Sequence, residues 1–242
     1  MMDANGMSGR HWTEVVEALE EIAPDYDRVN QLITFGLADR WRREVAAYAK
    51  PDDVVLEVGS GPGSFARHLI SKSIYCIEPS GELANYSKEL LDQNRIQLVR
   101  AVGEKIPMAD QSVDKVFCVF SFRDFFDKGE GISEIHRVLK AGGEVRIVDV
   151  AKPPPGPLAK LLDMHVKHIV PKLARIAVNP ASYHRLKRDP YMTFVDTYKA
   201  FGFTTIYENL LSQQGFSEVK TEFLKMKGAT MTRGKKPWTS TS

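Results

Sequence analysis

Residues 54 to 63 read Val54-Val55-Leu56-Glu57-Val58-Gly59-Ser60-Gly61-Pro62-Gly63. Apolar residues suited to a buried strand give way to an acid, then to a glycine at every second position. Such a chain leaves a strand, turns sharply and starts the helix that residues 64–71 suggest. Glycine adopts positive φ and lets a ligand lie against bare backbone. A helix start adds free N–H groups and partial positive charge. This chemistry suits a nucleoside-bearing ligand. The dinucleotide fingerprint needs G-x-G-x-x-G, but here the third glycine comes one residue early, behind Pro62. No Gly-Lys-Ser/Thr follows, so a phosphate loop is excluded too. At Glu57 a carboxylate would repel a pyrophosphate, whereas it suits an ammonium or a sulfonium. About twenty residues after the loop opens, Tyr75-Cys76-Ile77-Glu78-Pro79-Ser80 reads as the next strand, ending in a second acid. Doubly wound folds place there a carboxylate that bridges both ribose hydroxyls.

These residues need a sheet to hold them. Strand-length apolar runs at 54–58, 73–77, 97–101, 115–120 and 144–150 alternate with helical patterns at 64–71, 81–93 and 129–139. That alternation predicts an α/β fold, a parallel sheet with helices on both faces. Leu139-Lys140-Ala141-Gly142-Gly143 reads as a helix end and a glycine turn. Two further strands, 217–224 and 229–233, would close a seven-stranded sheet with an antiparallel pair. Residues 12–49 carry helical periodicity and read as an N-terminal cap. Beyond the core (54–150), a proline-rich stretch opens a helical insert, 152–203, that reads as a lid over the ligand crevice. Residues 204–233 complete a single domain, and 234–242 read as a frayed end.

The 242 residues suffice for one sizeable core. A net charge of +2 is too balanced to argue for nucleic acid. Cys76 and Cys118 lie in apolar runs and read as buried thiols of a reducing compartment. No run approaches the ~18 apolar residues of a membrane span, and the N-terminus shows no signal-peptide core. A cytoplasmic protein is expected, with peripheral membrane contact and a homodimer left open.

The glycine spacing with Glu57 resembles motif I of the class I methyltransferases that use S-adenosylmethionine (SAM). More of the chain, about residues 20–236, resembles the ubiquinone/menaquinone-biosynthesis C-methyltransferases. Tyr26-Asp27, Asn30, Phe35-Gly36 and Arg40-Trp41-Arg42 are similar to that family's N-terminal signature. The likeness continues through Glu104-Lys105-Ile106-Pro107, Ser121-Phe122-Arg123-Asp124, Arg137-Val138-Leu139-Lys140, Lys152-Pro153, His168-Ile169-Val170-Pro171, Ser182-Tyr183 and Gly215-Phe216. It implies a Rossmann-like fold, SAM as cofactor, no metal, and a small lipid-tailed quinol methylated on a ring carbon.

A ring carbon becomes nucleophilic when a neighbouring hydroxyl loses its proton, so positioning and a proton acceptor are both required. The resemblance assigns SAM to Tyr26, Glu57, Gly59, Ser60, Gly61, Gly63, Glu78, Pro79, Gly103, Glu104 and Ser121. Arg123, Asp124, His168 and Tyr183 are the candidates for catalysis. Arg123 would stabilise a phenolate or hold a water, and His168 titrates near working pH. A surface ion pair for Arg123-Asp124 and a packing role for His168 and Tyr183 stay open. Tyr26 and Asn30, one turn apart, would face the pocket together or else anchor the N-terminal helix. Asp124 stands where the family carries Asn, and Val102-Gly103-Glu104 lacks the family's adenine-reading Asp or Asn. The loop after Phe122 is shorter than the family's. Another small acceptor, methylated at oxygen or nitrogen, and a non-catalytic SAM-binding module are the alternatives.

Overall fold

The computed structural model describes residues 2–3, 6–7, 9–92, 94–152, 155–178, 195, 198 and 205–238. Seven strands form one sheet: β1 (Val54–Val58), β2 (Ser73–Ile77), β3 (Ile96–Val99), β4 (Val113–Val119), β5 (Leu139–Val150), β6 (Ser217–Phe223) and β7 (Ala229–Lys235). Their order is β3-β2-β1-β4-β5-β7-β6. Only β7 runs antiparallel to its neighbours. The order reverses between β1 and β4, and in open α/β sheets ligands bind outside the carboxyl ends of the strands at such a switch. β1 delivers Glu57 and the glycines there, and β4 delivers Phe120, Ser121 and the turn that follows.

Alternation along the strands sends side chains to two cores. Leu56, Val58, Val116 and Cys118 face α5 (Lys128–Val138) and α8 (Thr205–Gln213), meeting Ile132, Ile135, Tyr207 and Leu211. Val55, Ile74, Cys76 and Phe117 face the other way, onto Trp41 and Val45 of α3 (Leu37–Ala46) and onto Phe65 and Leu69. A third cluster joins Val29 and Ile33 of α2 (Tyr26–Ile33) to Val170 and Ala174 of α7 (Val170–Ala177). Helix α1 (Gly9–Glu21), helix α4 (Gly81–Leu90) and helix α6 (Pro157–Met164) complete the set. A π turn, His165–Ile169, links α6 to α7.

Two expectations are corrected, and a third lies mostly outside the described residues. The helix over 64–71 is a single 3₁₀ turn, Ala66–His68. Parallel pairing of Val54 with Ser73 and Val58 with Ile77 obliges the link to travel back the length of the strand. Beyond that turn the chain opens into extended backbone at Leu69, with φ −70° and ψ 139°. Second, the stretch from Leu139 to Gly143 is part of β5, as an irregularity. The register jumps from Val113 opposite Leu139 to Lys115 opposite Glu144, and Gly142 takes φ +78°. Third, the lid is described only to residue 178 and at 195 and 198, so Tyr183 and most of 179–204 lie outside the described residues.

Candidate active site

The glycine loop is built by contacts that only glycine permits. Gly59 and Ser60 donate their N–H groups to the Ile77 carbonyl, at 2.8 and 3.0 Å, which docks the loop onto β2. Gly59 sits at φ +73°, and a Cβ there would stand 2.5 Å from Cβ of Ser121. Ser121 in turn donates its hydroxyl to the Val58 carbonyl at 2.6 Å, so the loop is held between β1 and β4. At Gly61 (φ +53°) a Cβ would meet nothing within 4 Å. Its N–H donates to Oε2 of Glu78 at 2.7 Å, and the Ser80 N–H donates to Oε1 at 2.9 Å. Glu78 is thus fixed from both sides, one oxygen on the glycine loop and the other on the start of α4.

Ten of the eleven residues expected around the cofactor line one crevice: Tyr26, Glu57, Gly59, Ser60, Gly61, Glu78, Pro79, Gly103, Glu104 and Ser121. Gly63 does not line it. A Cβ on Gly63 would come within 2.8 Å of the Leu91 side chain, so this glycine permits packing beneath the loop. Glu104 reaches the crevice while accepting the Asp127 N–H at 3.1 Å. Gly103 packs its α-carbon face against Phe125, 2.4 Å from a notional Cβ. Val16 and Leu19 of α1 close the crevice from above.

The crevice is acidic. Glu57 is 1% exposed, and burial pushes its carboxyl up to about 8 despite the nearby Arg42 guanidinium and the Cys76 thiol 3.8 Å away. Burial lifts Glu78 to about 7 against the pull of its two N–H donors. Two carboxyl groups that hold protons near neutrality suit a ligand bringing positive charge, and they disfavour phosphate.

Beside this crevice, on the β4 and β5 side, lies a buried ionic cluster. Asp124 lines the crevice; burial raises its carboxyl to about 6 in spite of Arg123. Arg123 does not line the crevice. Its Nη1 donates to Oδ1 of Asp149 at 2.6 Å, and its Nε lies 3.6 Å from Asp124. Asp149, 1% exposed, also accepts the Val150 N–H at 2.8 Å and the Tyr207 hydroxyl at 3.1 Å. Burial works against the charge on Arg123, and Asp149 with Asp124 more than restores it. Sequence reading missed Asp149 and Tyr207. Asp149 had a signal, since it is an acid near the end of a parallel strand, as Glu57 and Glu78 are. Tyr207 had none.

His168 is not brought to the site: it is exposed on the π turn. Of the two lid histidines among the described residues, His165 points inward, its Nε2 lying 2.7 Å from the Ile33 carbonyl. Asn30 spends its amide on the Tyr26 carbonyl at 2.9 Å, so only Tyr26 of that pair faces the crevice. The cap is strapped to the loop by Asp27, which accepts from Ser64 Oγ and Arg67 Nη1, both at 2.6 Å. Asp39 faces His68 at 2.9 Å. No spacing in the sequence announces these straps.

A strand order that reverses at a glycine loop, with one acid closing β1 and another just beyond β2, defines a class I SAM-dependent methyltransferase. The open face of Gly61, the braced Glu78 and the buried carboxyl of Glu57 fit SAM. The chain belongs to the ubiE/COQ5 methyltransferase family, which matches it over residues 7–236. It is 27% identical to a demethylmenaquinone methyltransferase of Bacteroides fragilis over 88% of both chains. It is 33% identical to a ubiquinone/menaquinone biosynthesis C-methyltransferase UbiE of Geotalea daltonii, over 58% of this chain and 64% of that one. Among solved structures, a SAM-dependent methyltransferase from Thermotoga maritima superposes with a TM-score of 0.64 at 19% identity, covering 92% of this chain and 99% of that one. Another, from Aquifex aeolicus, gives 0.54 at 16%, covering 81% and 89%. At those identities the structures establish the fold alone.

The raised carboxyls carry a pH prediction. In the empty crevice Glu57 keeps its proton up to a pH of about 8 and Glu78 up to about 7. A cationic ligand favours the charged forms, so binding expels protons and affinity climbs with pH up to about 8. Without ligand the sign for stability is the reverse. Unfolded carboxyls titrate near 4.5, so the contribution of this pair is complete below that value and is lost as pH rises through 7 and 8. Calorimetric titrations of SAM at neutral pH, in buffers of different ionisation enthalpy, should show net proton release. Zero release would contradict the assignment.

Proposed function

We propose that the chain transfers the SAM methyl group to a ring carbon of a prenylated quinol. One observation carries this reading: Asp124, a half-buried carboxyl lifted to about 6, shares a crevice with Glu57 and Glu78. Ring-carbon methylation needs a group that accepts a hydroxyl proton near neutral pH, and a base works best with its pKa near the operating pH. SAM, when bound, supplies an electrophilic methyl. Asp124 takes the hydroxyl proton, directly or through one water. Arg123, braced by Asp149, sets a fixed positive charge behind it that favours the phenolate. Tyr26 lines the same crevice. Glu57 and Glu78 hold the cofactor, with the loop from Gly59 to Gly61 against it.

The relatives' names support the substrate class, being those of demethylmenaquinone and ubiquinone/menaquinone methyltransferases. Among the described residues no helix is long and apolar enough to cross a membrane. The proposal places the enzyme in the cytoplasm, meeting a lipid-tailed acceptor at the membrane surface. The test is methyl transfer from labelled SAM to a panel of quinols, short-tailed and long-tailed, with phenolic and amine acceptors alongside. Label on a quinol ring carbon is the expected product. Tight SAM binding with transfer only to oxygen or nitrogen would remove the proposed acceptor.

A further inference from the structure

Several large apolar side chains stand exposed on the cap and lid, and they adjoin one another. Phe35 is 71% exposed and Ile176 77%, while Leu161 and Met164 are half-exposed. Phe35 holds φ +52°, an outlying conformation for a bulky residue, at the turn between α2 and α3. Its ring lies 5.5 Å from that of His165, which follows Met164 directly and Leu161 by one helical turn. Leu32 and Ile176 line one shallow groove with Gly36. Single exposed apolar residues are ordinary, whereas an adjoining set marks a contact surface.

Charge selects the occupant. Residues 157–178 hold four basic residues, Lys160, Lys167, Lys172 and Arg175, against one acid, Asp163. Asp163 is already paired with Lys167. Lys160 and Lys172 are exposed, as is Arg175, and the Arg28 side chain on α2, although paired with Asp25 at 2.8 Å, is 59% exposed. Apolar side chains mixed with basic ones on surface helices fit an anionic lipid headgroup layer, with the apolar tips reaching the acyl boundary. A neutral protein partner would give the lysines nothing. The patch is also joined to the chemistry. Helix α2 begins at Tyr26 in the crevice and ends beside Leu32 and Phe35, about 12 Å further on, and α7 packs along it through Val170 and Ala174.

We propose that the α2–α3 turn with helices α6 and α7 is the face by which this methyltransferase docks on an anionic lipid surface. The inference rests on the reading of a lipid-tailed acceptor, because such a substrate resides where this face would sit. Phosphatidylcholine vesicles with and without phosphatidylglycerol are the probe, in sedimentation with the full chain. The wild type should partition onto the anionic vesicles, less so at high salt. Phe35→Ser with Ile176→Ser should weaken partition about tenfold or more. SAM affinity and turnover of a water-soluble short-tailed quinol should stay at wild-type level. Lys160→Glu with Lys172→Glu tests the charge separately and should abolish the preference for anionic lipid without touching the apolar core. Equal partition of wild type and both variants overturns the proposal, as does a wild type that ignores vesicles. A shift of the serine variant from dimer to monomer, with lipid binding unchanged, would reassign the face to self-association. Failure of the short-tailed quinol to turn over in the wild type counts against the acceptor and leaves the vesicle result to be judged by itself.

Discussion

Glu78→Ala is expected to weaken SAM binding by roughly two to four orders of magnitude. Each hydrogen bond from a ribose hydroxyl to a carboxylate is worth about 1.5–3 kcal/mol, and Glu78 can accept two. The free protein should lose far less. Its carboxyl is buried and lifted to about 7, so removing it also removes a desolvation cost. What remains is the loss of two acceptors, since the Gly61 and Ser80 N–H groups both donate to it. Each orphaned donor costs about 1–3 kcal/mol, the Ser80 N–H being buried, and the desolvation cost lost with the carboxyl offsets part of this. The outcome is therefore asymmetric: affinity collapses while the melting temperature moves by a few degrees. Glu78→Gln separates charge from shape, because the amide still accepts one loop N–H, and its affinity should fall between the two. Calorimetric titration with SAM and a thermal melt of each variant suffice. Wild-type affinity in Glu78→Ala would mean that the ribose is held elsewhere.

Glu78 was legible in the sequence because its position follows from geometry that repeats in every doubly wound sheet. The turn after β1 and the acid ending β2 are a fixed distance apart, so residue type and spacing together define them. The strands were legible for a similar reason: β1 and β2 are short, apolar and closed by Glu57 and Glu78. The link after Gly63 was misread because Phe65, Ala66 and Leu69 are buried at spacings that a helix and a single 3₁₀ turn share. Periodicity records which side chains are buried, and it is blind to how far the chain must travel. The placement of His168 was illegible for another reason. Two histidines, His165 and His168, stand three residues apart, and the π turn between α6 and α7 leaves His165 facing inward and His168 exposed. Asp27, which straps α2 to Ser64 and Arg67, touches residues nearly forty positions away. Contacts of that range leave no pattern in a single chain.

Asp149→Ala is the change expected to do most damage to the fold and to the proposed proton transfer at once. Asp149 is buried and holds Arg123 at 2.6 Å. Stripping a buried pair of one partner costs about 3–5 kcal/mol, because the remaining charge is left in a poor dielectric. Hydrophobic replacement of both partners is far milder. The double variant Asp149→Leu with Arg123→Met should accordingly melt above Asp149→Ala, and with the singles Asp149→Leu and Arg123→Met it closes the cycle that measures the coupling. Asp149→Asn keeps one oxygen that still accepts the Val150 N–H, while its amide NH2 faces the Tyr207 hydroxyl, which makes it the variant for kinetics. Losing the charge at Asp149 removes a repulsion that helps hold Asp124 at about 6, and it leaves more of the Arg123 field to Asp124. Both changes lower the carboxyl's pKa. The acid limb of the kcat profile should then move below 6, while kcat on the plateau drops, because a weaker base accepts the hydroxyl proton less readily. A purely structural Asp149 would lower stability and leave that limb in place. Asp124→Asn supplies the reference, since it should remove the limb altogether while Glu57 and Glu78 still bind SAM. If Asp149→Asn and Asp124→Asn both keep the wild-type profile, the proton leaves the acceptor by a route that does not include this cluster.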